Sequence, residues 1–379
     1  MPSLKASSFM RFLYRSEGAT FQRWVSRPNV IESSQLPRQR RRRILNEGKP
    51  MMLRRIPAIA LGAVLIACLT VPAGAQQRVS IYTAHTANIV ERLIPEFERA
   101  TGIKADVVKA GSGDIINRAR AEAANPKCDV IWSIGAELLE ANTDLLEPYQ
   151  PKESAMIADA FKSGSAWIPY TGILNVFVVN TKKLKPEEYP KSWADLAQPR
   201  FKNLVSMADA EKSGSAYMQL NTFLTIYSDN TAGWTKFKGV FDNLSISTSS
   251  GAVPRFVNDG EAVVGITLED NAYLYLKGGG PVAIVYPEDG TSAIADGMAL
   301  CKRAPNPAAG KAFIDWSLSA PVQEMVVQEL GRRPIRKDAK PPGALKPMEQ
   351  IKLVKYDIRN AANKRQEYID KWRALMLAR

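Results

Sequence analysis

The chain has 379 residues with 51 Lys+Arg against 38 Asp+Glu, and the excess is concentrated at one end: residues 1 to 75 hold 13 of the basic residues and 3 of the acidic ones. Residues 76 to 379 carry 38 basic and 35 acidic residues, a balance that implies no polyanion or nucleic-acid partner. Those 304 residues are too many for one compact core and suit two domains, and a single histidine, His85, excludes a His-based metal cluster.

Residues 1–50 form a basic extension with the run Arg40-Arg41-Arg42-Arg43 and no sustained apolar periodicity, read as lying upstream of the true start. A nucleic-acid-binding arm is the alternative, but a basic tail ahead of an export signal is discarded on export. Residues 51–75 read as that signal: Arg54 and Arg55 are the positive n-region, Ile56 to Val71 is uncharged and apolar, and Ala73-Gly74-Ala75 supplies the small residues for cleavage before Gln76. The apolar run falls short of the roughly 20 residues that span a bilayer. The expectation is a protein released into the periplasm, with Leu65-Ile66-Ala67-Cys68 offering lipid attachment at Cys68 as the alternative.

From Arg78 the chain alternates strand and helix: VSIY, a helix over 86–100, ADVVK, a helix over 114–124, DVIW, and a helix over 135–142. The first helix places Ile89, Val90, Leu93, Ile94 and Phe97 on one face, and the second Ile115, Ile116, Ala119 and Ala123, as helices covering a sheet require. A break at 167–172, followed by the apolar run 173–179 and Pro186, Pro190 and Pro199, predicts a crossing into a second lobe. There the pattern gives strand LVSM, helices over 213–227 and 232–241, a short helix after Ser250, strand VVGIT, a short helix to Lys277 and strand VAIVY. After Pro287-Glu288-Asp289-Gly290, strand MALC and a helix over 308–319 return to the first lobe, and helices near 348–353 and over 360–377 close the chain. The predicted boundaries are 76–170 for the first part of lobe 1, 171–288 for lobe 2, 289–325 for the return, and 326–379 for C-terminal helices of unassigned lobe. The fold class expected is α/β, two lobes each with a mainly parallel sheet and a ligand cleft where the carboxyl ends of the strands meet.

Cys128 and Cys301 lie in apolar, strand-like stretches, which favours two buried free thiols over a disulfide. No Walker A loop, paired-Cys zinc spacing or Gly-x-Ser-x-Gly elbow is present. A secreted hydrolase with a serine nucleophile would have to use His85 or a lysine as base. The reading is therefore no catalytic residue, no metal and no cofactor. What recurs is Ser, Thr and Gly at strand-to-helix junctions: Thr83, His85 and Thr86 after the first strand, Ser112 and Gly113 after the second, Ser133 after the third, then Ser213 and Ser215, and Thr248, Ser249, Ser250 and Gly251. Free N–H groups and the helix dipole make such junctions anion sites, although Ser and Thr are also ordinary helix caps. Lys162 to Ala166 repeats the pentapeptide Lys212 to Ala216, but only the second copy is expected to start a helix. Glu269 or Asp270, just past VVGIT, is expected to meet an amine or hydroxyls of the ligand, with helix capping as the competing role.

The Glu-Phe-Glu-Arg-Ala-Thr-Gly-Ile of 96–103, the DVIWS strand, the Ser-Gly-Ser-Ala-Tyr helix start, VVGITLED and Asn-Pro-Ala-Ala-Gly-Lys-Ala-Phe-Ile-Asp, in that order, resemble the extracellular solute-binding proteins of ABC importers. The similarity covers 78–379, and the branch is the one holding ferric-ion, sugar-phosphate and 2-aminoethylphosphonate binders. The resemblance implies a two-lobed, hinged, monomeric, non-enzymatic protein that closes on a small anionic solute and docks on a permease in the inner membrane. Ferric binders of this branch use adjacent tyrosines after the VVGIT-like strand and a His after the first strand. This chain has His85 but puts Asp270 and Asn271 near the expected tyrosines, with Tyr273 and Tyr275 displaced. That favours phosphonate or organophosphate, with ferric ion as the alternative.

Overall fold

The structure, a computed structural model, describes residues 76–162 and 166–379. The basic extension, the leader with Cys68, and residues 163–165 of the first pentapeptide lie outside the described residues.

Strand β1 (Arg78–Thr83) is followed by helix α1 (Ala87–Thr101), β2 (Lys104–Lys109), α2 (Ser112–Ala121), β3 (Val130–Gly135), the single-turn α3 (Ala136–Glu140) and the short β4 (Leu146–Glu147). Helix α1 forms because Ile89, Leu93 and Phe97 recur on one buried face, and it stops at Gly102, whose φ of 72° is the left-handed conformation that glycine adopts without strain. The long β5 (Ile168–Asn180) leads to β6 (Val205–Ala208), α4 (Gly214–Tyr227), α5 (Thr231–Phe241), β7 (Leu244–Ser247), α6 (Val253–Asp259), β8 (Val264–Leu268), α7 (Glu269–Lys277) and β9 (Val282–Val285). The chain returns through β10 (Ala293–Cys301) and ends with α8 (Pro307–Leu318), α9 (Ala320–Gln328) and α10 (Ile358–Leu377).

The strands are hydrogen-bonded in the order β2-β1-β3-β10-β5-β8-β6-β7. β1 pairs in parallel with β2 and β3, and β6 in parallel with β7 and β8. Between these two parallel sets run the antiparallel strands β10 and β5. Residues 168–174 of β5 pair with β10, and residues 175–180 pair with β8 and β9. One strand thus serves both lobes.

Each lobe has its own core. Val79, Phe97, Trp132, Phe313 and Val326 lie in one, and Phe177, Trp193, Phe223, Phe237 and Phe241 in the other. The C-terminal α10 inserts Tyr368, Ile369 and Trp372 into the second core, while Val322 and Val326 of α9 join the first. Cys128 and Cys301 are buried free thiols. The helix expected at 348–353 is only a single 3-10 turn, Met348–Gln350, in a segment that Pro341, Pro342 and Pro347 keep irregular. Helix α9 and strand β7 were not legible from the pattern.

Candidate functional site

The carboxyl ends of β1, β2 and β3 in one lobe and of β6 and β7 in the other face a shared cleft of about 260 Å³. Its wall on the first lobe includes His85, Thr86, Ser112 and Ser133, and on the second Ser213, Ser215, Thr248, Ser249, Ser250 and Gly251. Three helices of ten residues or more begin there, α1 after Thr86, α2 after Gly111 and α4 after Ser213. Their first N–H groups have no intrahelical partner, and their dipoles add a partial positive charge at each start. Lys109 and Lys212 lie on the same lining. A small anion is what such a surface holds best.

The lobes touch across the cleft. The Gly113 N–H donates to the Lys212 carbonyl at 3.3 Å, and a methyl group at Gly113 would stand 2.7 Å from the Glu211 carbonyl oxygen. At Gly251 an added methyl would stand 2.9 Å from the Thr86 methyl. Glycine here lets lobe meet lobe. This corrects the expectation that Gly113 serves ligand approach, since Gly113 itself does not line the cleft.

Three further expected residues also lie off the lining. Thr83 is fully buried and donates its hydroxyl to the Trp132 carbonyl at 2.8 Å. Glu269 and Asp270 sit at the start of α7, behind the wall, and each is already paired. Arg333 grips Glu269 with Nε and Nη2, both at 2.7 Å, and Tyr286 donates to the same carboxylate at 2.5 Å. Arg332 meets Asp270 at 2.8 Å and Asp296 at 3.2 Å. The role expected of Glu269 or Asp270, receiving a ligand amine, is therefore corrected: their lone pairs serve arginines. Neither residue is free.

Arg332 and Arg333 reach this position because the chain meets β5 at Arg333, with Gly172 N–H donating to the Arg333 carbonyl at 2.8 Å and Arg333 N–H returning to Gly172 at 3.2 Å. Arg332 lines the cleft. Its partner Asp296 also accepts from Thr171, through N–H at 3.1 Å and hydroxyl at 2.6 Å, and from the Ser133 hydroxyl. Ser133 makes this contact from a left-handed backbone, φ 56°, which costs on the order of 1 kcal/mol in a residue with a side chain. Asp270 titrates above the usual carboxylate range, because burial outweighs the opposing pull of Arg332.

His85 packs edge-on against Trp132 and Tyr170, with ring centroids 4.4 and 5.6 Å away, and its Nδ1 lies 3.4 Å from the Arg332 guanidinium. Burial, and then Arg332, push its pKa well below the ordinary 6.5. The imidazole is neutral at physiological pH.

Sequence reasoning missed Lys109, Glu137, Lys212, Asp296 and Arg332, all on the lining. A signal existed for two of them: Asp296 is a carboxylate inside the otherwise apolar AIADGMALC, and Glu137 lies in the apolar GAELLEAN.

Residues 125–360 match the profile of the bacterial extracellular solute-binding proteins. An uncharacterized protein of Haemophilus influenzae is 31% identical over 318 residues, covering 79% of this chain and 91% of its own. A putative 2-aminoethylphosphonate-binding periplasmic protein of Salmonella typhimurium is 26% identical over 252 residues, 65% of this chain and 73% of its own. Ferric-ion-binding periplasmic proteins are among the further relatives. In three dimensions the chain is similar to the periplasmic binding protein AfuA of Actinobacillus pleuropneumoniae with exogenous fructose-6-phosphate bound. The TM-score is 0.74 and the identity 26%, and the match covers 79% of this chain and 98% of that one.

Proposed function

The chain belongs to the bacterial extracellular solute-binding protein family, and we propose that its solute is a small organophosphate or phosphonate, captured between the lobes and handed to an ABC permease of the inner membrane. The observation that carries this reading is the meeting of three helix starts from two lobes, with Ser112, Ser213, Ser249 and Ser250 and two lysines, around one cleft. Phosphoryl oxygens accept from several donors at once, and N–H groups at helix starts supply them without desolvating a full charge. A relative named for 2-aminoethylphosphonate and a structural neighbour with fructose-6-phosphate bound agree in ligand chemistry.

Ferric ion is the second reading, supported by the ferric relatives and by a histidine after β1. Fe(III) requires anionic oxygen donors. Of the carboxylates on the lining, Asp296 is engaged by Arg332 and Glu137 is fully buried, and no tyrosine lies there. This donor set favours the phosphorylated solute.

The protein is proposed to act as a monomer in the periplasm after cleavage before Gln76, without turnover of its solute. Calorimetry and thermal shift against phosphonates, sugar phosphates, carboxylates and ferric citrate test the reading. A bound solute at about 100 times its Kd stabilises the fold by roughly 2.7 kcal/mol. Ferric binding that resists citrate, with no shift for any phosphorus compound, would reverse the order of the two readings. N-terminal sequencing of exported protein should begin at Gln76; a lipid-modified Cys68 would show the other processing route.

A further inference from the structure

The cleft does not end at the helix starts. Thr86, Lys109, Ser249, Gly251 and Asn271 line it and also line a second, outer cavity of about 490 Å³. Thr86 and Gly251 meet where the two adjoin, and a methyl added to the glycine would come within 2.9 Å of the threonine methyl. Like the inner cleft, the outer cavity lies between lobes. Residues 86–88, at the start of α1, come from the first lobe, and Pro254 of α6 with Leu274 and Tyr275 of α7 come from the second.

The two cavities differ in chemistry. Asn271, Leu274 and Tyr275 stand at i, i+3 and i+4 and so share one face of α7. Leu274 and Tyr275 are half-buried and Pro254 is buried, which gives the outer cavity an apolar, partly aromatic wall. Tyr273, the other tyrosine of α7, packs on Gly331 instead. No carboxylate is among the residues lining the outer cavity, so an ammonium group or the hydroxyls of a polyol find no charged acceptor there. Asn271 belongs to both cavities. It is only 6% exposed, and its side-chain amide has no hydrogen-bond partner in the protein, a state that buried polar groups rarely keep. A group that reaches from one cavity into the other passes this amide.

We infer that the outer cavity is a second subsite that receives an aromatic substituent of the solute, so that the preferred ligand is an aryl or arylalkyl phosphate or phosphonate. This rests on the reading of the helix starts as the anion site. A planar ring removes apolar surface from water against Pro254, Leu274 and the Tyr275 ring. Lys109, which lines both cavities, offers its ammonium to the phosphoryl oxygens on one side and to a ring face on the other. The Asn271 amide donates to the bridging oxygen of an ester in the passage between them. The organic end of the solute is thus read by shape and apolar contact.

The test is calorimetry with methylphosphonate, phenylphosphonate, 2-phenylethylphosphonate and glucose 6-phosphate on wild type, Tyr275→Ala, Tyr275→Phe and Leu274→Ser, each shown to be folded by its melting curve. Wild type should bind at least one aryl compound roughly 10-fold more tightly than methylphosphonate. Tyr275→Ala and Leu274→Ser should each erase most of that preference while changing methylphosphonate less than about 3-fold. Tyr275→Phe should keep the preference, because the ring and not the hydroxyl forms the wall. If Tyr275→Ala fails to fold, Leu274→Ser decides alone. Equal binding of methylphosphonate and both aryl compounds by wild type, or a preference unchanged in the folded variants, would overturn this inference and leave the anion site standing. A loss in Tyr275→Ala as large for glucose 6-phosphate as for the aryl compounds would also overturn it, and make the outer cavity a sugar subsite. Failure of all four compounds to bind would overturn the anion site and the inference together.

Discussion

Behind the cleft, Glu269 and Asp270 each face an arginine at 2.7 to 2.8 Å, whereas Glu137, on its lining, has Arg365 as a charged neighbour but no side-chain hydrogen bond. All three are acidic residues at or near the start of a helix that follows a strand, and all three are buried. What separates them is company. The paired carboxylates fasten Arg332 and Arg333 to α7 and belong to the architecture. For Glu137, fully enclosed, only its own backbone N–H and the charge of Arg365 are set against the effect of burial. Burial alone therefore does not tell a paired acid from an unpaired one, but the state of its hydrogen-bond partners does.

The comparison is broken most directly by removing a partner. Glu269→Ala leaves the Arg333 guanidinium buried and uncompensated, and should cost about 3–5 kcal/mol in urea unfolding, while a double change to apolar residues at 269 and 333 should recover most of it. A next and opposite effect is expected at Glu137. Its carboxyl is raised from an ordinary 4.5 to about 7 in the fold. The unfolded chain then releases this proton at lower pH than the folded protein, so Glu137 lowers stability progressively from pH 4.5 to 7 and by a constant amount above. Glu137→Gln should gain about 3 kcal/mol over wild type above pH 7, and nothing below pH 4, in melts across pH. A flat difference across pH would place Glu137 with the paired acids.

Smaller effects sharpen the distinction among the serines. Ser249→Ala should weaken phosphonates and sugar phosphates by about 2 kcal/mol in calorimetry, as loss of a hydrogen bond to a charged group does, with little change in melting temperature. Ser213 accepts from the Ala216 N–H at 3.2 Å and so caps α4 as well as lining the cleft. Ser213→Ala should therefore lower stability by about 1 kcal/mol in addition to any loss of binding.

The alternation of strands and helices was legible because it is written locally, in the spacing of residues such as Ile89, Leu93 and Phe97. The helix starts around the cleft were legible for the same reason, since Ser and Gly at a strand-to-helix junction occupy adjacent positions. The charge pairing was not. Arg333 meets Glu269 across 64 positions and Arg332 meets Asp296 across 36, and no local pattern announces such partners. Glu269 and Asp270 consequently looked available in the sequence, and Glu137 looked like one more residue of a short helix. The irregular stretch after α9, which delivers both arginines, carries no periodicity from which its path could be read.

The passage between lobes has a mechanical side. β5 changes partners between Leu174 and Asn175 without leaving the extended conformation, and β10 runs antiparallel beside it. At that changeover Asn175 N–H donates to the Ser292 carbonyl, Thr291 donates to the Asn175 carbonyl, and the Asn175 amide donates to Thr222 of the second lobe. A coil turned through an angle has no preferred return. A two-stranded ladder flexes by adding or removing twist while its bonds persist, so deforming it stores energy that restores the resting angle. Any closure of the lobes on a solute would therefore have to twist this ladder.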